Sequence, residues 1–222
     1  MRTLLISDLH ADPSAFDRVL RQTEHARDTI VSLGDLVGYG GEPEEVVQML
    51  RQLNPYVTLK GNHEEMVVRV ASGNPPELDT KTLQMVERQV ATLSQQNLDF
   101  LAGLPEKHLT TGWGAVHGTP RNPLWEYLLS VPVARANYSL MERRLYLVGH
   151  THIPSAFIFD QTHERWHSLA FRSPQATLQL ESDQATFFNP GSVSQSRDGL
   201  DTISYAILDE EAAAIEVFRC AR

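Results

Sequence analysis

Gly61-Asn62-His63-Glu64 follows a short apolar run, Tyr56-Val57-Thr58-Leu59, that has the length and composition of a buried strand. The tetrapeptide therefore places an amide, an imidazole and a carboxylate on one tight turn at the carboxyl end of a strand. Open α/β sheets bind their ligands at this end of their strands. Because Asn and His are also ordinary turn residues, the rest of the chain must supply matching groups.

The chain up to residue 60 repeats one pattern of apolar run, polar turn and helix. Apolar runs at 3–7 and 29–33 end at Ser7-Asp8-Leu9-His10 and at Gly34-Asp35. A proline at the expected first helical position follows each of these turns. The order strand, helix, strand, helix, strand predicts a parallel sheet with right-handed crossovers. All three polar turns are then expected at one edge of that sheet.

The remaining residues predict a helical segment and a second set of strands. Residues 64–104 are expected to be mostly helical, and we interpret them as an insertion that caps the site within one domain over 1–222. A short helix is expected at 133–142. The predicted fold class is α/β, with two mixed sheets packed face to face and helices outside. The later strands are expected at 113–116, 145–148, 155–160, 164–170, 176–180 and 187–188, with a closing hairpin at 203–208 and 213–218.

Composition limits the possible classes of protein. The 222 residues are 41% hydrophobic and 21% charged, which is ordinary for a globular protein with a buried core. The formal net charge of -9 argues against a protein that binds long nucleic acid. This negative charge is compatible with a small anionic substrate, because bound cations can make the electrostatic potential at a site positive.

The cysteine count and the lengths of the apolar runs predict the cellular compartment. The single cysteine, Cys220, cannot form an internal disulfide, which favours a reducing compartment. The apolar run at the N-terminus is too short for a signal peptide, and no run is long enough to span a bilayer. We therefore expect a cytoplasmic protein without a membrane partner.

Five apolar runs end in a turn that carries Asp, Asn or His. One such turn would be unremarkable, but five in the same structural context indicate a shared site. Imidazole and carboxylate suit Zn, Mn, Fe or Ni, and no thiolate is nearby to form a structural zinc site. Two five- to six-coordinate ions need about seven such ligands when one carboxylate bridges them. The residues concerned are Asp8, His10, Asp35, Asn62, His63, His117, His150 and His152.

In this order the motifs resemble those of the calcineurin-like metallophosphoesterase superfamily, and the resemblance covers nearly the whole chain. It implies a four-layer α/β-β/α sandwich with a dimetal site at the strand ends. It further implies that Asp35 bridges two divalent ions, with Mn or Fe favoured. His63 would be no ligand, and it would protonate the leaving-group oxygen or stabilise its developing charge. The implied ligands of the two ions are Asp8, His10 and His152 for one, and Asn62, His117 and His150 for the other.

Within the superfamily the chain is most similar to small bacterial and archaeal phosphodiesterase-type members. Gly34-Asp35-Leu36-Val37-Gly38-Tyr39-Gly40 and His117-Gly118-Thr119-Pro120 support this likeness. The family often has a second acid where this chain has Gly38, so support of a metal ligand by that acid is not expected here. The chain also lacks the Asp-Arg-Gly of the protein-phosphatase branch, which argues against a phosphoprotein substrate.

The resemblance implies a metal-dependent phosphohydrolase in which metal-bound hydroxide attacks a phosphodiester or phosphoanhydride. The substrate is expected to be a small nucleotide, such as a dinucleoside polyphosphate or a cyclic nucleotide. A phosphomonoesterase is the nearest alternative. A non-catalytic protein-interaction scaffold of the same fold is another alternative, but such scaffolds tend to lose the ligands that this chain retains.

Several residues near the motifs are candidates for other roles. Arg121 either binds a substrate phosphate or is a solvated loop residue. Trp125 and Tyr127 either stack on a nucleobase or pack inward. Arg197 is a weaker phosphate candidate, and Glu64 is expected to be a helix-start acid that can orient His63. Structural or surface roles are expected for 189–192 and for His25, His108, His163 and His167.

Overall fold

Two six-stranded sheets form the centre of the protein, and the computed structural model describes residues 1–222. The strands are β1 Arg2–Ile6, β2 Thr29–Ser32, β3 Val57–Thr58, β4 Lys107–Leu109, β5 Trp113–Val116, β6 Leu145–Leu147, β7 Ser155–Asp160, β8 Arg165–Ala170, β9 Gln175–Gln179, β10 Gln184–Asn189, β11 Thr202–Asp209 and β12 Ala214–Ala221. The helices are α1 Pro13–Gln22, α2 Pro43–Gln52, α3 Asn62–Ala71, α4 Thr80–Thr92, α5 Gln95–Ala102 and α6 Val131–Tyr138.

Both sheets mix parallel and antiparallel strands, as the sequence predicts. The first has the order β3-β2-β1-β11-β12-β9, in which β1, β2 and β3 are parallel. The second has the order β4-β5-β6-β10-β7-β8, in which β5, β6 and β10 are parallel. The parallel strands of each sheet therefore end together at one edge. The predicted closing hairpin is confirmed as β11 and β12, which pair antiparallel.

Three apolar layers separate four layers of structure, which confirms the predicted α/β-β/α sandwich. Side chains alternate along β1, so Leu4 and Ile6 pack under the helices while Leu5 faces the second sheet. Trp113 and Phe188 belong to the core between the sheets. The outer face of the second sheet packs against α6, with Tyr146, Phe187 and Ala134 in its core.

Capping residues begin the helices that follow β1 and β3. The Asp12 carboxylate accepts a hydrogen bond from the Ala15 amide at 3.0 Å, and Pro13 is the first residue of α1. Helix α3 begins at Asn62, with Gly61 as its cap, so the opening tetrapeptide starts a helix. The amides of its first turn are thereby left without partners within the helix.

The segment 64–104 folds into most of α3 and all of α4 and α5, as expected. These helices pack on the outer face of the first sheet, where Val67, Val86 and Leu101 share its core. Gln89 on α4 contacts the loop that follows β2. The assignment of a capping insertion within one domain remains a prediction. The helix expected at 133–142 lies at Val131–Tyr138, and none of the helices has the length and apolarity needed to cross a membrane.

Candidate active site

The carboxyl ends of five strands bring all eight predicted residues into one buried cluster. The first sheet supplies residues after β1, β2 and β3, and the second supplies residues after β5 and β6. None of the eight is more than 6% exposed. They are Asp8, His10, Asp35, Asn62 and His63 from the first sheet, and His117, His150 and His152 from the second.

Positive φ angles are concentrated at the predicted metal ligands. Nine non-glycine residues of the chain have positive φ, and five of them are among the seven predicted ligands. A left-handed backbone costs a residue with a Cβ roughly 1–2 kcal/mol. Such strain persists where the surrounding structure enforces it, typically at functional sites. The five are Asp8, His10, Asp35, His150 and His152, with φ of 56°, 46°, 57°, 67° and 60°.

The first ligand group combines the two sheets. The Asp8 Oδ1 atom lies 3.2 Å from His152 Nε2 and 3.8 Å from His10 Nε2. The two Nε2 atoms of His10 and His152 are 2.9 Å apart. These three side chains therefore direct one oxygen and two nitrogens at a common point, as expected for one ion.

The second ligand group converges on His117. Its Nε2 atom lies 3.2 Å from Asp35 Oδ2, from Asn62 Oδ1 and from His150 Nδ1. The same Asp35 oxygen lies 3.9 Å from His10 Nε2, so Asp35 stands between the two groups. Ligand atoms of His10, Asp35 and His63 also lie within 4.8 Å of one another. His63 therefore borders the cluster on the side of His10.

Backbone carbonyls fix the tautomers of the four ligand histidines. Each ring directs one nitrogen at the cluster and the other at a carbonyl oxygen, which only accepts hydrogen bonds. In a neutral ring the outer nitrogen therefore carries the hydrogen, and the inner one presents a lone pair. For His10, His117, His152 and His150 in turn, the carbonyls are those of Val37, Leu33, Gln195 and Trp125, at 3.0, 2.7, 2.7 and 3.3 Å.

This donor set fits divalent cations. The inner Nε2 atoms of His10 and His152 lie 2.9 Å apart, close enough to bind one cation together. The Asp8 Oδ1 atom is buried without a hydrogen-bond partner. Nitrogen and oxygen donors without thiolate suit Mn, Fe, Zn or Ni, in keeping with the sequence prediction.

The pKa values of the clustered residues also suit metal binding. Burial lowers the pKa of His10 to about 3 and that of His150 to about 4, so both rings are neutral at pH 7. Burial opposes ionisation of Asp8, but the neighbouring His152 outweighs it and the pKa falls below its usual value. Burial lowers the pKa of His117, but the charge and hydrogen bond of Asp35, together with Asp8 and the Leu33 carbonyl, outweigh it and raise the pKa to about 9. A cation that binds there displaces this proton.

The imidazole of His63 is buried, and one of its nitrogens has no hydrogen-bond partner. Its Nδ1 atom is buried without a partner, and its backbone amide donates to Asp35 Oδ1 at 3.0 Å. Burial lowers the pKa of its imidazole. Gly38 has a φ of 109°, and a Cβ there would lie 2.3 Å from His63 Nδ1. The acid that many relatives have at this position is thus excluded here by geometry.

The carboxylate of Glu64 holds the loop after β2 and the turn at Gly61. It makes no hydrogen bond to the His63 ring, so the expectation that it orients this ring is wrong. It accepts hydrogen bonds from the amides of Asp35, Leu36, Val37 and Gly61, at 2.8, 2.7, 3.2 and 2.7 Å. Burial and the charge of Asp35 raise its pKa to about 7. The spacing from Gly61 to Glu64 is that of a capping box, which predicts the bond to Gly61 alone.

The proposed substrate residues lie on one side of the cluster. The Tyr127 ring stacks on His150, with centroids 3.8 Å apart and planes at 10°. The Trp125 carbonyl contacts His150 while its side chain is 42% exposed. The Arg121 guanidinium is paired with the carboxylate of Glu126. The structure thus brings Trp125 and Tyr127 to the cluster and gives Arg121 a protein partner.

Contacts made by Tyr39, on the side of the cluster away from Trp125 and Tyr127, were not expected from the sequence. The Tyr39 ring is 54% exposed, and its centroid lies 4.6 Å from that of His10 and 4.8 Å from that of His63. Arg197 donates to the Tyr39 hydroxyl at 3.2 Å. The glycine-rich loop after Asp35 was the available signal, but its pattern does not reveal which side chain turns inward.

The turn at 189–192 forms hydrogen bonds to the backbone at and next to the candidate ligands. The Asn189 side-chain amide donates to the Gly149 carbonyl at 2.6 Å, and the Ser192 hydroxyl donates to the Asp8 carbonyl at 2.8 Å. These contacts hold the backbone of residues beside the ligands. Of the histidines outside the cluster, His108 packs against Tyr56 and Trp113.

The chain belongs to the calcineurin-like phosphoesterase superfamily, whose domain model matches residues 1–213. It is 33% identical to an uncharacterized protein of Methanocaldococcus jannaschii, over 97% of this chain and 85% of that protein. The crystal structure of a metallophosphoesterase from Sphaerobacter thermophilus is 32% identical, with a TM-score of 0.87 over 99% of this chain and 88% of that one. A hypothetical protein from Pyrococcus horikoshii, 14% identical, shares the fold with a TM-score of 0.78 over 99% of this chain and 88% of that one. The protein is therefore a metal-dependent phosphoesterase, as the motifs imply.

Proposed function

We propose that this protein hydrolyses a phosphodiester or phosphoanhydride bond of a small nucleotide. The observation that supports this most strongly is the position of Asp35 between two ligand groups, 3.2 Å from His117 and 3.9 Å from His10. A shared carboxylate between two nitrogen-rich groups suits a pair of ions that clamps an in-line displacement at phosphorus.

Two divalent ions, with Mn or Fe favoured, would use all seven predicted ligands. When bound they supply Lewis acidity, which lowers the pKa of water and neutralises charge on the phosphoryl oxygens. The ligands that would hold them are Asp8, His10 and His152 for one ion and Asn62, His117 and His150 for the other, with Asp35 shared.

His63 is assigned to the leaving group. In the reaction a water oxygen bonds to phosphorus, the bond from phosphorus to the bridging oxygen breaks, and that oxygen departs with the leaving group. The lowered pKa of His63 favours a neutral ring at pH 7, which donates an N–H to the departing oxygen. Its backbone bond to Asp35 holds the ring beside the cluster.

An exposed aromatic rim supports a nucleotide substrate. Large exposed apolar side chains flank the cluster on both sides, with Tyr39 on one and Trp125 and Tyr127 on the other. Exposed aromatic faces suit stacking on nucleobases. Arg121 uses two nitrogens on Glu126, so its remaining N–H groups are available for a phosphate.

Hydrolysis of a substrate panel by the Mn-loaded protein tests this function. The panel comprises bis-p-nitrophenyl phosphate, p-nitrophenyl phosphate, diadenosine tetraphosphate and a cyclic nucleotide. We expect cleavage of diesters or anhydrides that stops when EDTA removes the metal. Preferential cleavage of the monoester would instead indicate a phosphomonoesterase. Absence of bound metal after reconstitution would refute the proposed centre.

A further inference from the structure

A cavity of about 470 Å³ lies between the loop after β2 and helix α4. The loop contributes Tyr39, Gly40 and Gly41 to its wall, and α4 contributes Met85, Arg88 and Gln89. It lies outside the ligand cluster, and neither the proposed ions nor His63 line it. Its size is in the range of small-molecule sites.

Tyr39 lines this cavity and also contacts His63. Its ring lies 4.8 Å from the His63 ring, so the cavity begins about one aromatic ring away from the proposed leaving-group residue. The loop is fastened to α4, because Gln89 accepts from the Gly38 amide at 3.0 Å and donates to the Gly40 carbonyl at 2.7 Å. The spacing between cavity and cluster is therefore fixed by a buried side chain.

Arg88 is the one charged side chain in the cavity wall, and no carboxylate lines it. Its guanidinium has no salt bridge, whereas those of Arg121 and Arg219 are paired with carboxylates. A guanidinium without a carboxylate partner and a partly exposed tyrosine in one cavity suit a ligand that combines an anion with a ring.

We propose that this cavity is the leaving-group subsite and binds a nucleoside phosphate, with the base against Tyr39 and the phosphate on Arg88. This deepens the proposed function and rests on it, because it takes His63 to mark the leaving-group side. Cleavage of a phosphoanhydride releases a leaving group that bears a phosphate, so this subsite favours an anhydride over a diester of a simple alcohol. One water is consumed: its hydroxyl stays on the attacked phosphorus, and its proton leaves with the departing phosphate or enters solvent. A dinucleoside polyphosphate meets this requirement, whereas a cyclic nucleotide releases no separate leaving group.

Arg88→Gln tests the subsite by substrate discrimination. We expect the KM for diadenosine tetraphosphate to rise about tenfold, the size of a lost charge-assisted hydrogen bond. The KM for bis-p-nitrophenyl phosphate, whose leaving group carries no phosphate, should stay nearly unchanged. Arg165→Gln on the exposed strand β8 removes the same charge far from the cavity and should alter neither value. An equal rise for both substrates in Arg88→Gln would overturn the proposal.

Calorimetric titration of AMP into the Mn-loaded protein tests the same subsite without turnover. Arg88→Gln should weaken AMP binding about tenfold. Tyr39→Leu should also weaken it, while Tyr39→Phe, which keeps the ring, should retain it. Wild-type affinity in Arg88→Gln would show that AMP binds at the metal ions alone. Failure of the wild type to hydrolyse any phosphoester would refute the proposed function, and the AMP titration would still decide whether the cavity binds nucleotide.

Discussion

The Nε2 atoms of His10 and His152 lie 2.9 Å apart, while the other nitrogen of each ring faces a backbone carbonyl. Two nitrogens this close, with the Asp8 carboxylate beside them, form a donor set that a cation could bind. A bound cation would tie these three side chains together only in the folded state. Metal binding and stability of the fold should therefore be closely linked.

Addition of Mn should raise the free energy of unfolding. A ligand that binds the native state alone contributes about 2.7 kcal/mol when its concentration is a hundred times its Kd. Urea denaturation with Mn and with EDTA measures the difference. His152→Ala should reduce the Mn effect because it removes a ligand, and equal stability of the wild type in Mn and in EDTA would contradict the inference.

His63→Ala should separate turnover from metal binding. The variant should lose about 10²–10⁴-fold in kcat, the contribution typical of a positioned proton donor, while retaining bound metal. Asp35→Ala should lose metal because Asp35 stands between both ligand groups. Elemental analysis and steady-state kinetics measure the two effects. Equal metal loss in both variants would show that His63 is itself a ligand.

Glu64→Gln should destabilise the fold by about 3 kcal/mol, because the amide replaces one acceptor oxygen with a donor facing two backbone N–H groups. Glu65→Gln is the matched control, since Glu65 is partly exposed and forms only a 3.6 Å ion pair with Lys60. Urea denaturation measures both. Equal stability of the two variants would contradict the role of Glu64 in holding the loop after β2.

Stability should depend on pH through the ion pair of Asp198 and Arg219. Burial opposes ionisation of Asp198, but hydrogen bonds from Arg219, from the Ser196 hydroxyl and from the Leu200 amide together outweigh it and lower the pKa to about 2 from 3.8. A depressed carboxyl pKa stabilises the fold above pH 3.8, and this contribution is lost as pH falls toward 2. Arg219→Gln should remove the part of this contribution that depends on Arg219, at most about 2 kcal/mol at pH 7.

The cost of Arg219→Gln should shrink below about pH 4, as the unpaired Asp198 takes up a proton. Urea denaturation of both proteins between pH 7 and pH 3.5 gives the comparison. A difference that is constant with pH would show that Arg219 stabilises the fold through packing or its bond to the Phe171 carbonyl.

The sequence predicted which side chains would cluster because each candidate ligand belongs to a local pattern. Asp8, Asp35 and His117 lie within three residues of the ends of β1, β2 and β5, and parallel strands end at one edge. The topology then brings together groups that are far apart in the chain. Element boundaries were less certain, as at β3, which the structure limits to Val57–Thr58.

Contacts between loops were not predictable in the same way. Glu64 reaches amides 27 to 29 residues away, and Gln89 reaches Gly38 across 51 residues. Nothing in either local sequence specifies such a partner. The contacts of Tyr39 with His10 and His63 depend likewise on how its loop is held against α4. The partners of Glu64, Gln89 and Tyr39 are therefore defined only by the tertiary structure.

The separation of the ligands along the chain has a mechanical consequence. His10 and His152 are 142 residues apart and follow strands of different sheets. An ion held by both would act as a cross-link in a protein whose single cysteine cannot form one. Like a disulfide across a long loop, it would restrict the unfolded chain most when the enclosed segment is long. The centre that activates water would then also fasten one half of the sandwich to the other.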